Sequence, residues 1–156
     1  MIRNSIGTIL MSTSVLLGAC STTEKRTEEA APLIGRAEVN ITDGLLTPEV
    51  LYSMGRISDA RLSPDGKRVL YGVTFFSIEQ NKGNRELFVV NLDGSDRRQI
   101  TQTPESEQNA VWIHGGKEIA FLSSESGSSQ LWIMKPDGSD RRRVSEYAGG
   151  INGFRF

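Results

Sequence analysis

The chain has 156 residues, a length that one domain can fill. Its 18 basic and 19 acidic residues leave a net charge of −1, which argues against nucleic acid as a partner, since such binders gather a basic excess on one face. A single Cys excludes a disulfide within the chain, a single His leaves little room for acid–base or zinc chemistry, and 16 Gly fit a turn-rich, all-β chain.

Arg3 gives a small positive start, and Ile6 to Leu17 is mostly apolar, diluted by Thr8, Ser12, Thr13 and Ser14. The run falls short of the roughly 20 residues that a membrane-spanning helix needs. Leu17-Gly18-Ala19-Cys20 follows, with small residues directly before the Cys, as at a signal-peptide cut. A Cys in this place resembles a bacterial lipobox, which implies cleavage before Cys20 and diacylation of its thiol. Residues 1–19 then form a lipoprotein signal peptide. The lipid on Cys20 contributes roughly 0.8 kcal/mol of anchoring per buried methylene and tethers a domain to a membrane without making it a membrane domain.

Residues 20–44 read as a flexible tether. Ser21 to Ala31 carries Glu24, Lys25, Arg26, Glu28 and Glu29 and no aromatic residue, too little apolar surface to offset ordering. Glu28-Glu29 resembles the carboxylate pairs that grip peptide amines, but in a tether it reads as solvated. A short helix comes next: Thr47 caps it, Pro48 suits its first turn, Glu49 favours its positive end, and Val50, Leu51 and Met54 give it an apolar side before Gly55.

From there a two-part phrase repeats. Ser63-Pro64-Asp65-Gly66-Lys67-Arg68-Val69-Leu70-Tyr71 and Glu86-Leu87-Phe88-Val89-Val90-Asn91-Leu92-Asp93-Gly94-Ser95-Asp96-Arg97-Arg98 form the first copy. Gly115-Gly116-Lys117-Glu118-Ile119-Ala120-Phe121 and Gln130-Leu131-Trp132-Ile133-Met134-Lys135-Pro136-Asp137-Gly138-Ser139-Asp140-Arg141-Arg142 form the second. Strands are predicted over Asp59–Leu62, Lys67–Phe76, Arg85–Asn91 and Arg97–Thr101, then over Asn109–Ile113, Lys117–Ser123, Gln130–Met134 and Arg141–Ser145. Pro64 and Gly66 set the first turn, and Asp93-Gly94 marks a tight hairpin. Ile151 to Phe156 begins a third copy.

The offset is 50 from Leu62 to Trp112, and 44 both from Asp93 to Asp137 and from Trp112 to Phe156. The difference falls in the polar stretch Ser77–Asn84, as a true repeat varying in a loop should show. Four strands at this period read as β-propeller blades. The middle strands are apolar on both sides, Phe88 with Val89 and Trp132 with Ile133, which requires both sheet faces to be covered. The expected class is all-β: an incomplete β-propeller over 45–156, with blades at 57–101 and 106–145 and the start of another at 150–156.

The Ser-Pro-Asp-Gly turn, the Leu-Trp-Ile-Met strand and the Asp-Gly-Ser-Asp-Arg-Arg turn resemble the propeller repeat of the Tol translocation protein and of the prolyl oligopeptidase family of serine peptidases. Leu46-Thr47-Pro48-Glu49-Val50-Leu51-Tyr52-Ser53-Met54-Gly55-Arg56-Ile57-Ser58 and Asn84-Arg85-Glu86-Leu87-Phe88 resemble the first blade of bacterial dipeptidyl and acylaminoacyl peptidases. The resemblance implies an N-terminal propeller portion whose partners are its own C-terminal hydrolase domain and short peptides, with the propeller gating access to the active site. It also implies a chain that is incomplete. The family's Gly-x-Ser-x-Gly elbow is absent, and Ser128 and Ser129 after Gly127 continue into Gln130 and Leu131 instead. The alternative is a non-enzymatic Tol-like propeller lipoprotein that scaffolds envelope proteins.

No catalytic, cofactor or metal residue is predicted within this chain, and no cofactor is implied. The one site residue is the lipidation site, Cys20, and the expected place is the periplasmic side of a membrane or the cell surface of a bacterium. His114, aligned with a Pro in the sister blade, reads as an exposed turn residue. Asp93 to Asp96 and Asp137 to Asp140 read as hairpin turns, since their spacing does not fit an EF-hand. Arg141-Arg142-Arg143 reads as an outer strand, and Gly149 to Gly153 as an inter-blade loop, because a phosphate cradle needs a helix N-terminus.

Overall fold

The computed structural model describes residues 33–39, 41 and 43–156. Among them the helix α1 (Pro48–Ser53) precedes two four-stranded antiparallel sheets. The first holds β1 (Arg56–Leu62), β2 (Arg68–Ser77), β3 (Lys82–Asn91) and β4 (Arg98–Gln99) in that order. The second holds β5 (Gln108–Ile113), β6 (Glu118–Ser123), β7 (Gln130–Met134) and β8 (Arg142–Arg143), again in chain order. Each sheet is a propeller blade, so the all-β class and the partial propeller expected from the repeat hold. The signal peptide, Cys20 and the Glu28-Glu29 pair lie outside the described residues.

The blades meet face to face. Leu70, Leu87, Val89 and Ile100 of the first form one core with Ala110, Ile119, Phe121 and Met134 of the second, flanked by Trp112 and Trp132. Alternation along β2 sends Tyr71, Val73 and Phe75 to the opposite face, where Ile34 packs with Val73 and Phe75. Ile34 lies inside the 20–44 stretch read as tether, so burial against the blade begins before residue 45. Val50 of α1 is also buried, and Thr47 caps the helix through Oγ1, which accepts from the Val50 amide at 3.4 Å.

Four boundaries differ from the sequence reading. β1 starts at Arg56, before a register shift between Ser58 and Arg61, and Asp59 there has a φ of 53°. The second blade repeats this bulge between Gln108 and Val111, with Asn109 also at 53°. The polar stretch 77–84 is mostly ladder: Ser77 pairs with Lys82 and Phe76 with Gly83, leaving a loop of Ile78 to Asn81. Gly83 opens room there, since a Cβ would stand 3.1 Å from the Phe76 ring.

The outer strands shrink to two residues each. Beyond them a hydroxyl replaces the ladder acceptor: the Leu87 amide donates to Thr101 Oγ1 at 2.8 Å, and the Leu131 amide to Ser145 Oγ at 2.8 Å. Finally, the strand expected over 150–156 is extended chain without a ladder partner, held at Ile151, whose amide donates to Ser129 O at 2.7 Å.

Gly138 in the β7–β8 turn touches the other blade. A Cβ on it would meet the Ile100 carbonyl oxygen at 2.6 Å, whereas one on Gly94, the sister position, meets nothing within 4 Å; both have a φ of +86°. Gly94→Ala carries only the cost of left-handed backbone, about 1–2 kcal/mol. Gly138→Ala adds a backbone clash between blades, roughly 1–3 kcal/mol more. Urea midpoints of the two variants should separate accordingly; equal midpoints would mean that the turn does not press on the Ile100 carbonyl.

Candidate functional site

Beside the apolar core, the seam between the blades holds a buried polar cluster. Its anchor is Glu86 on β3, with 1 % of its surface exposed, and Glu107 on the connector into β5, with 0 %. The strands place them so. Glu86 faces the connector because β3 continues toward Lys82, and the connector is sewn to that end. There the Glu107 amide donates to Arg85 O at 2.9 Å and the Arg85 amide to Ser106 Oγ at 3.1 Å.

Three donors reach Glu86. Thr101 Oγ1 donates to Oε2 at 2.7 Å, and Asn84 Nδ2 and the Thr103 amide donate to Oε1 at 2.8 and 3.1 Å. Glu107 is served less well. Its Oε1 lies 2.9 Å from Thr103 Oγ1, a hydroxyl that also donates to Glu105 O at 2.7 Å, and 3.1 Å from Arg141 Nη2. Its Oε2 has no donor. Burial pushes the Glu107 carboxyl up to about 7, the charge of Glu86 adds to the rise, and Thr103 and Arg141 pull against it. Burial also raises Glu86, against the pull of its hydrogen bonds.

Arg141 closes the cluster from the second blade. Its Nη2 also reaches Glu125 Oε2 at 2.7 Å, and its guanidinium lies 5.0 Å from the centre of the Phe121 ring and 5.1 Å from that of Trp132. The outer-strand reading of Arg141-Arg142-Arg143 is therefore corrected at its first residue. Arg141 turns into the seam, while Arg142 pairs with Glu118 at 2.6 Å and Arg143 with Glu146 at 3.4 Å.

The repeat offset shows which parts of the cluster the fold itself needs. Forty-four positions on, Gln130 stands for Glu86 and Ser145 for Thr101. Gln130 Oε1 accepts from Ser145 Oγ at 2.8 Å and from the Tyr147 amide at 3.0 Å, reproducing the bonds that Glu86 receives from Thr101 and Thr103. Glu107 corresponds to Ile151. A neutral amide and an alkyl group thus fill the same places in the next repeat. The sequence reading missed Glu86, Glu107 and Arg141 because it aligned the strands and turns but not the side chains that end them. That alignment is the signal that finds them.

The other candidates stay at the surface. His114 is exposed in the turn His114–Gly116, with Nδ1 2.5 Å from Glu118 Oε2. Asp93 and Asp137 cap their own turns: each Oδ1 accepts from the amide of Ser95 or Ser139 at 2.9 Å. Among the described residues no group of His, Cys, Asp and Glu is arranged to hold a metal ion. Ser129 Oγ donates to Ile151 O at 2.8 Å, a structural bond at the blade edge.

Glu86→Gln should change stability by no more than about 0.5 kcal/mol, the range of an accommodated substitution, because Gln130 already serves in this setting. Thr101→Val removes the donor to Glu86 and the acceptor for the Leu87 amide, so it should cost about 1–3 kcal/mol. Denaturation midpoints of the two variants decide the matter. A large loss for Glu86→Gln would show that the repeat comparison fails at this position.

No protein-family model matches the chain. It is 50 % identical over 132 residues to dipeptidyl-peptidase 5 of Porphyromonas gingivalis, a match that covers 81 % of this chain and 19 % of that protein. The chain thus spans about one fifth of the length of this relative. Among solved structures, acylaminoacyl peptidase of Pyrococcus horikoshii superposes with a TM-score of 0.50 at 25 % identity, over 62 % of this chain and 14 % of that one. The AtxE2 isopeptidase superposes with a TM-score of 0.56 at 21 % identity, over 69 % of this chain and 21 % of that one, which speaks to the fold alone. Sequence and fold together support the resemblance that the repeats carry: the chain is a partial β-propeller similar to segments of dipeptidyl-peptidase 5 and of an acylaminoacyl peptidase.

Proposed function

We propose that this chain is the propeller portion of an exported, lipid-anchored serine peptidase that acts on short peptides. The observation that carries the peptidase reading is the 50 % identity to dipeptidyl-peptidase 5 over most of the chain. The propeller lies over the access path to a C-terminal hydrolase domain, which supplies the nucleophilic Ser, the acid and the His. It admits short peptides and turns folded proteins away. The anchor reading rests on Leu17-Gly18-Ala19-Cys20. The lipid on Cys20 holds the enzyme at the outer side of a bacterial membrane, where short peptides reach it. No residue of this segment takes part in bond cleavage; its contribution is selection by size.

The complete protein, produced from its whole reading frame, tests this. It should release dipeptides from an unblocked hexapeptide, react with a fluorophosphonate probe for activated serines, and leave a folded protein substrate intact. Cys20→Ala should move it from the membrane fraction to the soluble fraction. Absence of both probe labelling and peptide release would overturn the peptidase reading, and membrane retention of the Cys20→Ala variant would overturn the anchor.

A further inference from the structure

We infer that the seam between the two blades is a proton-binding site, in which Glu107 and Glu86 share one proton that holds the blades together. Three observations carry this. Both carboxyls are buried at the junction of β3 and the connector into β5, with 1 % and 0 % of their surface exposed. Glu107 Oε2 has no donor, and Thr103 holds both carboxyls at one place, its amide 3.1 Å from Glu86 Oε1 and its hydroxyl 2.9 Å from Glu107 Oε1. As two carboxylates the pair would leave that oxygen unsatisfied and set like charges side by side. As an acid and a carboxylate, the pair carries a single negative charge, and the Glu107 hydroxyl supplies the donor that two carboxylates lack. Glu86 is the ionised partner, since all three of its other contacts are donors.

The third observation is the repeat. The second copy of the repeat has Gln130 and Ile151 where the first has Glu86 and Glu107. That copy therefore folds with neither carboxyl, and the pair is an addition of the first copy relative to the second. The charged groups that face it are Arg141 from the turn before β8, Glu125 on the far side of Arg141, and the Lys82–Glu105 ion pair at the rim, 3.6 Å apart. One cation, shared with Glu125, cannot neutralise two buried carboxylates.

The direction of the pH effect follows. The folded seam holds its proton to a higher pH than the opened one, where Glu107 meets water with an ordinary value of 4.5. Stability from the shared proton is complete below that value and is lost as the pH rises through about 7. Loss of the proton to solvent leaves two anions in the seam, which then opens more often.

Hydrogen exchange of the complete protein, read in peptides spanning 82–91 and 101–112, tests this. After correction for the chemical effect of pH on amide exchange, seam opening should rise by up to about tenfold per pH unit between about pH 5 and about pH 7, then level off. Glu107→Gln, which cannot ionise, should give a flat profile, as should Glu107→Ile, the residue of the next repeat. Wild type and Glu107→Gln with the same profile would overturn the shared proton. Should neither variant fold, the wild-type infrared stretch of a buried protonated carboxyl decides: it is expected to vanish over the same window, and its absence throughout would overturn the proposal.

Discussion

The structure depends on the apolar face of one sheet being buried against that of the next. Leu70, Leu87 and Val89 cannot be satisfied by their own blade; they are buried because Ile119, Phe121 and Met134 arrive from the next one. Each such side chain contributes roughly 1.5–3 kcal/mol when removed from water. The six together outweigh the polar cluster beside them, whose hydrogen bonds and ion pairs largely replace interactions with water. The apolar contact therefore drives the blades together, and the polar cluster sets how they register. Arg141 belongs to both: its guanidinium stacks on Phe121 and Trp132 while its nitrogens reach Glu107 and Glu125.

The blades were legible in the sequence because their signals are short-range. Pro64 and Gly66 fix a turn, Asp93-Gly94 another, and alternation around Val89 and Ile133 marks strands with two dry faces. What was not legible depended on contacts between elements. The bulges at Asp59 and Asn109 carry only the signal of a residue type that tolerates left-handed φ, which polar turns share. The β2–β3 ladder runs through a polar stretch because Gly83 leaves room for Phe76. Thr101 and Ser145 end the outer strands with a hydroxyl in place of a carbonyl, a substitution visible only once both partners are known.

The buried cluster sits between these cases. No motif flags Glu86 or Glu107, since an isolated Glu in a polar connector reads as solvent-facing. Yet the repeat is an internal comparison: one scaffold presented twice with different side chains. Where the copies agree, as at Asp93 and Asp137, the residue serves the turn. Where they differ in charge at a buried place, as Glu86 does from Gln130, the fold tolerates both, and the difference calls for another cause.

The face of the first blade turned away from the second has a different history. Ile34 and Val50 already rest there, and beside them a hollow of about 990 Å³ runs past Tyr71, Val73 and Phe88. In a closed ring the terminal blade would approach this surface and find it partly occupied. Circularisation would then exchange one covering for another, where the first two blades dry faces that nothing else covers.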